Sequence, residues 1–237
     1  MEVIPVIDLK GGQVVHARQG RRDEYGPIRT PLSATSAPQD VAAGLLRLYP
    51  FRSLYVADID AIEGRADNLG SLAGLPGELE AWLDGGVSDA AAAARWLGRG
   101  SVVLGSESQR DPGLLRAMRG DPRVILSLDF RGDAFQGPPE LLADPALWPG
   151  RVIVMTLARV GAGQGPDLAR LAEIVGRAGA GRRIYAAGGV RDAGDLRAAA
   201  GCGAAGALVA TALHAGRIGP AEIEAVARPA GRATPSR

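Results

Sequence analysis

Residues 3–12 read VIPVIDLKGG and residues 124–133 read VILSLDFRGD. Each is an apolar run that ends in Asp, continues through one apolar residue to a base, and then reaches glycine. The two lie about half a chain apart. A second pair is also separated by somewhat less than half the chain: GGVSD at 85–89 and GGVRD at 188–192. About twenty residues after each stands a short apolar run closing on small residues, Gly105-Ser106 in one case and Ala210-Thr211 in the other. Self-similarity at this period predicts two copies of one structural unit.

Outward from these stretches, eight runs read as strands: 3–8, 53–58, 78–84, 101–105, 124–129, 152–156, 183–188 and 206–210. Most are continuously apolar, the pattern of parallel strands covered on both faces. Between them the spacing predicts helices at Gln39–Leu48, Asp89–Leu97, Pro112–Arg119, Asp167–Arg177 and Asp192–Ala200, several opening on Asp or Pro as caps and first turns do. A four-strand half would leave two open sheet edges, whereas two halves face to face close the sheet. The expected fold is therefore α/β, a (βα)8 TIM barrel with a two-fold half-barrel repeat. One domain spans 1–227, its halves about 1–120 and 121–227, with 228–237 a frayed tail. An open doubly wound sheet is the competing architecture, but the first turn, DLKGGQVV, lacks the GxGxxG fingerprint that such a sheet usually carries there.

The chain of 237 residues carries 27 Lys and Arg against 26 Asp and Glu, with 46% hydrophobic residues. A net charge near zero gives no general attraction for nucleic acid or an anionic membrane, so neither is an expected partner. No protein partner is read from the sequence either. Ala198 to Gly216 is a long uncharged stretch, but its glycines point to a loop and a buried strand, not to a membrane span. A single cysteine, Cys202, and a start that runs straight into a strand point to the cytoplasm. Two widely separated histidines and no paired cysteines give no reason to expect a metal.

In a parallel barrel the functional groups sit at the C-terminal strand ends. Asp8 and Asp129 end the first and fifth strands, which face each other across an eight-membered ring, so two carboxylates converge on the mouth. Such a pair divides acid and base roles when its surroundings separate the two pKa values; the competing role for each is to cap a loop or to pair with Lys10 or Arg131. Lys10 is the only lysine in the chain, and a compact ammonium holds an oxygen where a guanidinium does not fit. The turns at Gly85-Gly86-Val87 and Gly188-Gly189, together with Gly105-Ser106 and Ala210-Thr211, expose backbone N–H groups suited to phosphate. Two repeat-related seats predict a small-molecule ligand with a phosphate at each end. Two loops, 17–25 with Arg18 and 158–165 with Arg159, are candidate lids. Thr156 closes the sixth strand and is a candidate donor to a substrate oxygen.

IPVIDLKGG (4–12), SLYVADIDA (53–61), the GGV turn, SLDFRG (127–132), the segment from Met155-Thr156 to GAGQGP, AAGGV (186–190) and ATALHAG (210–216) occur in an order that resembles the histidine-biosynthesis barrel isomerases and their sister cyclases. The resemblance covers about residues 1–220. It implies a cofactor-independent Amadori rearrangement of a bis-phosphorylated aminoimidazole ribotide, with Asp8 as general base, Asp129 as general acid and Thr156 assisting. Asp84 stands where the family has a glycine, Ser88 where it has an arginine, and Ala210-Thr211 replaces a glycine and a base, so the resemblance implies altered phosphate seats. The loop QGRRDEYGPI is similar to that of the isomerase/cyclase-related branch found with one-carbon cofactor genes in methanogens and methylotrophs. Two other functions follow from the same residues: a paralogue acting on another phosphorylated metabolite of one-carbon cofactor synthesis, and a non-catalytic binder of phosphorylated ligands.

Overall fold

A computed structural model describes residues 1–17, 21–161 and 163–227. Eight parallel strands close into a barrel: β1 (Glu2–Lys10), β3 (Ser53–Asp58), β4 (Glu80–Asp84), β5 (Ser101–Gly105), β6 (Val124–Arg131), β8 (Arg151–Thr156), β9 (Arg183–Ala187) and β10 (Gly206–Val209). Each pairs with the next, and β10 returns to β1 through Glu2↔Gly206 to Pro5↔Val209. All eight expected strands form, with ends shifted by a residue or two. The five expected helices form as well: α1 (Pro38–Leu48), α2 (Ala90–Leu97), α3 (Gly113–Met118), α4 (Leu168–Ala178) and α5 (Ala193–Gly201). The closed ring excludes the open doubly wound alternative.

Two short strands went unforeseen. β2 (Gln13–Val15) folds back antiparallel on β1, and β7 (Ala134–Gln136) folds back on β6. Each follows a two-residue turn, Gly11-Gly12 or Gly132-Asp133, and Gly11, Gly12 and Gly132 all adopt positive φ. Such turns match the twist of the strands they join. The repeat read in the sequence as apolar run, Asp and glycine is thus a strand and its hairpin, and Asp8 and Asp129 pair with Val15 and Gln136 at equivalent places. The stretch 198–216 is also more structured than expected. It finishes α5, contains β10, and continues into a short helix, α6 (Thr211–His214).

The core has two layers because both faces of each strand are covered. Ile4, Tyr55, Trp82, Val103, Ile125, Ile153, Tyr185 and Leu208 fill the barrel, while a larger set including Leu54, Leu83, Leu104, Leu126, Leu171 and Leu196 packs the strands against the helices. At the N-terminal end, Arg183 pairs with Glu2 at 2.9 Å and Arg151 with Glu80 at 2.8 Å, and each arginine lies over an interior aromatic ring, Tyr185 and Trp82. This end is plugged, so access is from the other. Among the described residues, no helix is long and apolar enough to cross a membrane. The segment 228–237 lies outside the described residues.

Candidate active site

Side chains on a strand alternate, and the pairing register decides which share a face. Val6 lies beside Tyr55, Tyr55 beside Trp82, and Ala57 between Asp8 and Asp84. The face that fills the barrel below therefore delivers Asp8, Asp84 and Asp129 to its C-terminal mouth. A cavity of about 340 Å3 opens there, and Asp8, Asp84, Glu107 and Asp129 all lie in its wall. Sites of this size hold a small metabolite.

Asp129 is almost fully buried and is the most heavily supported of the carboxylates. Its Oδ1 accepts from the Ser127 hydroxyl at 2.6 Å, and its Oδ2 from the Ser106 hydroxyl at 3.2 Å and the Glu107 N–H at 3.1 Å. Burial nevertheless raises its pKa to about 7; the Ser127 hydroxyl opposes that rise, and the neighbouring Asp84 and Glu107 add to it. Asp8 is only partly buried by its side chains' packing, yet it too is raised to about 7, again chiefly by desolvation, with Arg22 pulling it down and Asp84 pushing it up. Asp84 rises to about 6 for the same leading reason. Its Oδ2 accepts from the Tyr55 hydroxyl at 2.7 Å and its Oδ1 from the Gly86 N–H at 3.3 Å. Tyr55 feels all three aspartates, and burial first and then these charges raise its pKa well above the usual range. His214 also faces the cavity, where desolvation lowers it to about 4 and leaves it neutral at ordinary pH.

The candidate residues separate into those in the cavity wall and those behind it. Asp8, Asp129, Gly188, Gly189, Ala210 and Thr211 are in the wall. Lys10 is not; its Nζ donates to the Arg22 carbonyl at 2.7 Å and so fixes the loop that carries the Arg22 side chain into the cavity. Arg159 donates to the Gly165 and Pro166 carbonyls, both at 3.0 Å, which braces its own loop. Thr156 is buried at the end of β8, and its carbonyl lies where a Cβ on Gly188 would come within 2.5 Å. Gly85, Gly86, Val87, Gly105 and Ser106 sit behind the wall: a Cβ on Gly85 would meet the Trp96 ring at 2.0 Å, and Ser106 is engaged with Asp129. Gln109 donates to the Val87 carbonyl at 2.8 Å and the Gly105 carbonyl at 3.2 Å, tying the two turns together. Arg18 lies outside the described residues.

The rim after β9 and β10 is built differently. Gly188 and Gly189 have φ of 96° and 88°, and a Cβ on Gly189 would meet the Gly165 carbonyl at 2.3 Å, so only glycine lets these two loops approach each other. Arg191 and Arg217 line the cavity on this side. Arg191 is held by both oxygens of Asp195, at 2.8 and 2.9 Å. Tyr55, Glu107, Arg22, Arg191, Arg217 and His214 were not singled out from the sequence as site residues, and Asp84 was noted only as altering a phosphate seat. Strand parity measured from Asp8 would have found Tyr55 and Asp84 once the register was known. Asp58 and Asp60, by contrast, are turn formers: they bind Asn68, and Asp60 accepts from the Gly11 N–H at 2.6 Å. Among the described residues, no group of three or more His, Cys, Asp or Glu side chains is arranged to hold a metal ion.

The chain is 32% identical to phosphoribosyl isomerase A of Mycobacteroides abscessus, over 91% of this chain and 94% of that one. It is 32% identical to an imidazole-4-carboxamide isomerase of Rhodospirillum rubrum, whose name specifies a substrate with two phosphoribosyl groups, over 95% and 99%. It is 26% identical to an uncharacterized protein of Methanocaldococcus jannaschii, over 94% and 97%. The model of the histidine biosynthesis protein family matches residues 2–219, and the chain belongs to that family.

Proposed function

We propose that this chain is a cofactor-independent isomerase that converts a phosphorylated aminoaldose, an aminoimidazole ribotide or a related sugar phosphate, to the aminoketose. The observation that carries this reading is the convergence of Asp8 and Asp129, from opposite staves of the barrel, on one cavity with both carboxyls raised to about 7. A group with a pKa near the working pH supplies or removes a proton most effectively.

Asp8 serves as the base and Asp129 as the acid, the roles that the family resemblance implies, and both carboxyls are raised to about 7. Asp129 gives its proton to the ribose ring oxygen as the bond from C1 to that oxygen breaks, and the nitrogen lone pair forms the C1–N double bond. Asp8 then takes the proton from C2, and the electron pair moves toward nitrogen to give the enaminol. The 2-hydroxyl loses its proton as C1 gains one, which yields the ketone with no net proton change. The neutral His214 and Tyr55 also stand in the cavity wall.

Assaying the purified chain with the aminoimidazole ribotide and with a singly phosphorylated aminoaldose, beside Asp8→Asn and Asp129→Asn, tests the assignment. Turnover in the wild type that either substitution abolishes supports it; turnover untouched by Asp8→Asn overturns it. A second reading, a paralogue acting on a different phosphorylated metabolite, is favoured by one feature, the Asp84 carboxylate at the first rim.

A further inference from the structure

The two glycine turns predicted to seat phosphates differ in what their donors already bind. At the rim after β4 and β5, the Gly86 N–H is taken by Asp84, while the Glu107 N–H and the Ser106 hydroxyl are taken by Asp129. A Cβ on Gly85 would meet the Trp96 ring at 2.0 Å, and the Gln109 amide binds backbone carbonyls. The groups this rim turns toward the cavity are the carboxylates of Asp84, Glu107 and Asp129, with Arg22 already paired to Glu107 at 3.2 Å. A phosphate dianion placed here would meet like charges with its hydrogen-bond donors already engaged. At the other rim, Gly188, Gly189 and Thr211 stand in the cavity wall beside Arg217 and beside Arg191, which is paired to Asp195.

We infer that Asp84 closes the first rim to phosphate, so that the ligand of this cavity carries a single phosphate, at the Gly188-Gly189 end, and presents a hydrogen-bond donor, a hydroxyl or an amine, to the Asp84 end. The inference rests on the reading of the cavity as a site for a phosphorylated substrate, within which it selects a singly phosphorylated sugar over the bis-phosphorylated ribotide, and makes Asp84 its specificity-determining residue. Asp84 acts twice: it occupies the amide a second phosphate would need, and it offers an acceptor in that phosphate's place. Tyr55, donating to the same carboxylate, holds it in that position.

Calorimetric titration of the full chain with ribose 5-phosphate and with ribose 1,5-bisphosphate tests this without requiring turnover. The wild type is expected to bind the monophosphate at least about tenfold more tightly. Asp84→Gly is expected to narrow or reverse that ratio by improving bisphosphate binding, and Asp84→Asn to do so in part. Equal or tighter binding of the bisphosphate by the wild type overturns the inference, whatever the variants do. Binding of neither compound overturns instead the underlying reading of a phosphorylated-substrate cavity. Inorganic phosphate provides a separate count: one ion per chain is expected in the wild type, and two would overturn the proposal.

Discussion

The turns Gly85-Gly86-Val87 and Gly188-Gly189-Val190 share a sequence, a place after equivalent staves and a following Asp that caps a helix, yet they face the cavity in opposite ways. The first is packed on Trp96 and its amide is filled by Asp84; the second is pressed against the loop after β8 and opens on a wall with two arginines. The contrast teaches that a glycine turn is a backbone shape, not a ligand site. What it binds is decided by neighbours that arrive from other parts of the chain.

The largest effect that bears on this contrast is chemical. Asp8→Asn and Asp129→Asn are each expected to lower kcat by about 10²–10⁴ with little change in KM, since each removes a proton-transfer group and preserves shape. The wild-type rate is expected to peak near pH 7, with flanks that belong to the pair and not to either residue. Steady-state kinetics across pH measures both, and a rate flat from pH 5 to 9 contradicts the assignment.

Next come the turns themselves. Gly189→Ala forces a side chain into a positive φ and against the Gly165 carbonyl, and is expected to destabilise the fold by roughly 1–3 kcal/mol and to weaken monophosphate binding as well. Gly86→Ala, at φ 65° and 2.9 Å from the Ile62 Cα, is expected to have a similar effect on stability but none on monophosphate binding. Denaturant unfolding and titration together separate the two, and equal binding losses would erase the distinction between the rims.

The acidic rim also has a pH signature. Because the Asp8 carboxyl rises from 3.8 to about 7, the folded chain holds this proton more tightly than the unfolded one, and stability falls as pH climbs between those values. Asp8→Asn removes that penalty. It is expected to raise the thermal midpoint at pH 8 by a few degrees, on the order of 1 kcal/mol, with the gain fading toward pH 4. A gain of the same size at both pH values would mean that charge is not its source.

The smallest effect concerns the caps. Asp192 accepts from both the Gly194 and Asp195 N–H groups, whereas Asp89 accepts from Ala92 alone. Replacement of either by Ala is expected to cost about 1 kcal/mol, with Asp192→Ala the larger of the two in denaturant unfolding.

Local chemistry by itself determined the eight strands, the main helices and their Asp caps, and the repeat that places Asp8 opposite Asp129, because apolar runs, cap residues and chain-length periodicity are properties of neighbours in sequence. Tertiary structure alone decided the rest. Hydropathy does not distinguish the interior face of a strand buried on both sides, so Tyr55 became a site residue, and Asp84 came to share a face with Asp8, only through the register that sets Ala57 between Asp8 and Asp84. Lys10 drew notice as a solitary ammonium, but its work at the Arg22 carbonyl follows from the folding of a loop twelve residues on. The two glycine turns read alike until Trp96 and Asp84 closed one of them. Free energy at such a turn depends on which donors remain unpaired, and that is settled by contacts between residues far apart in the chain.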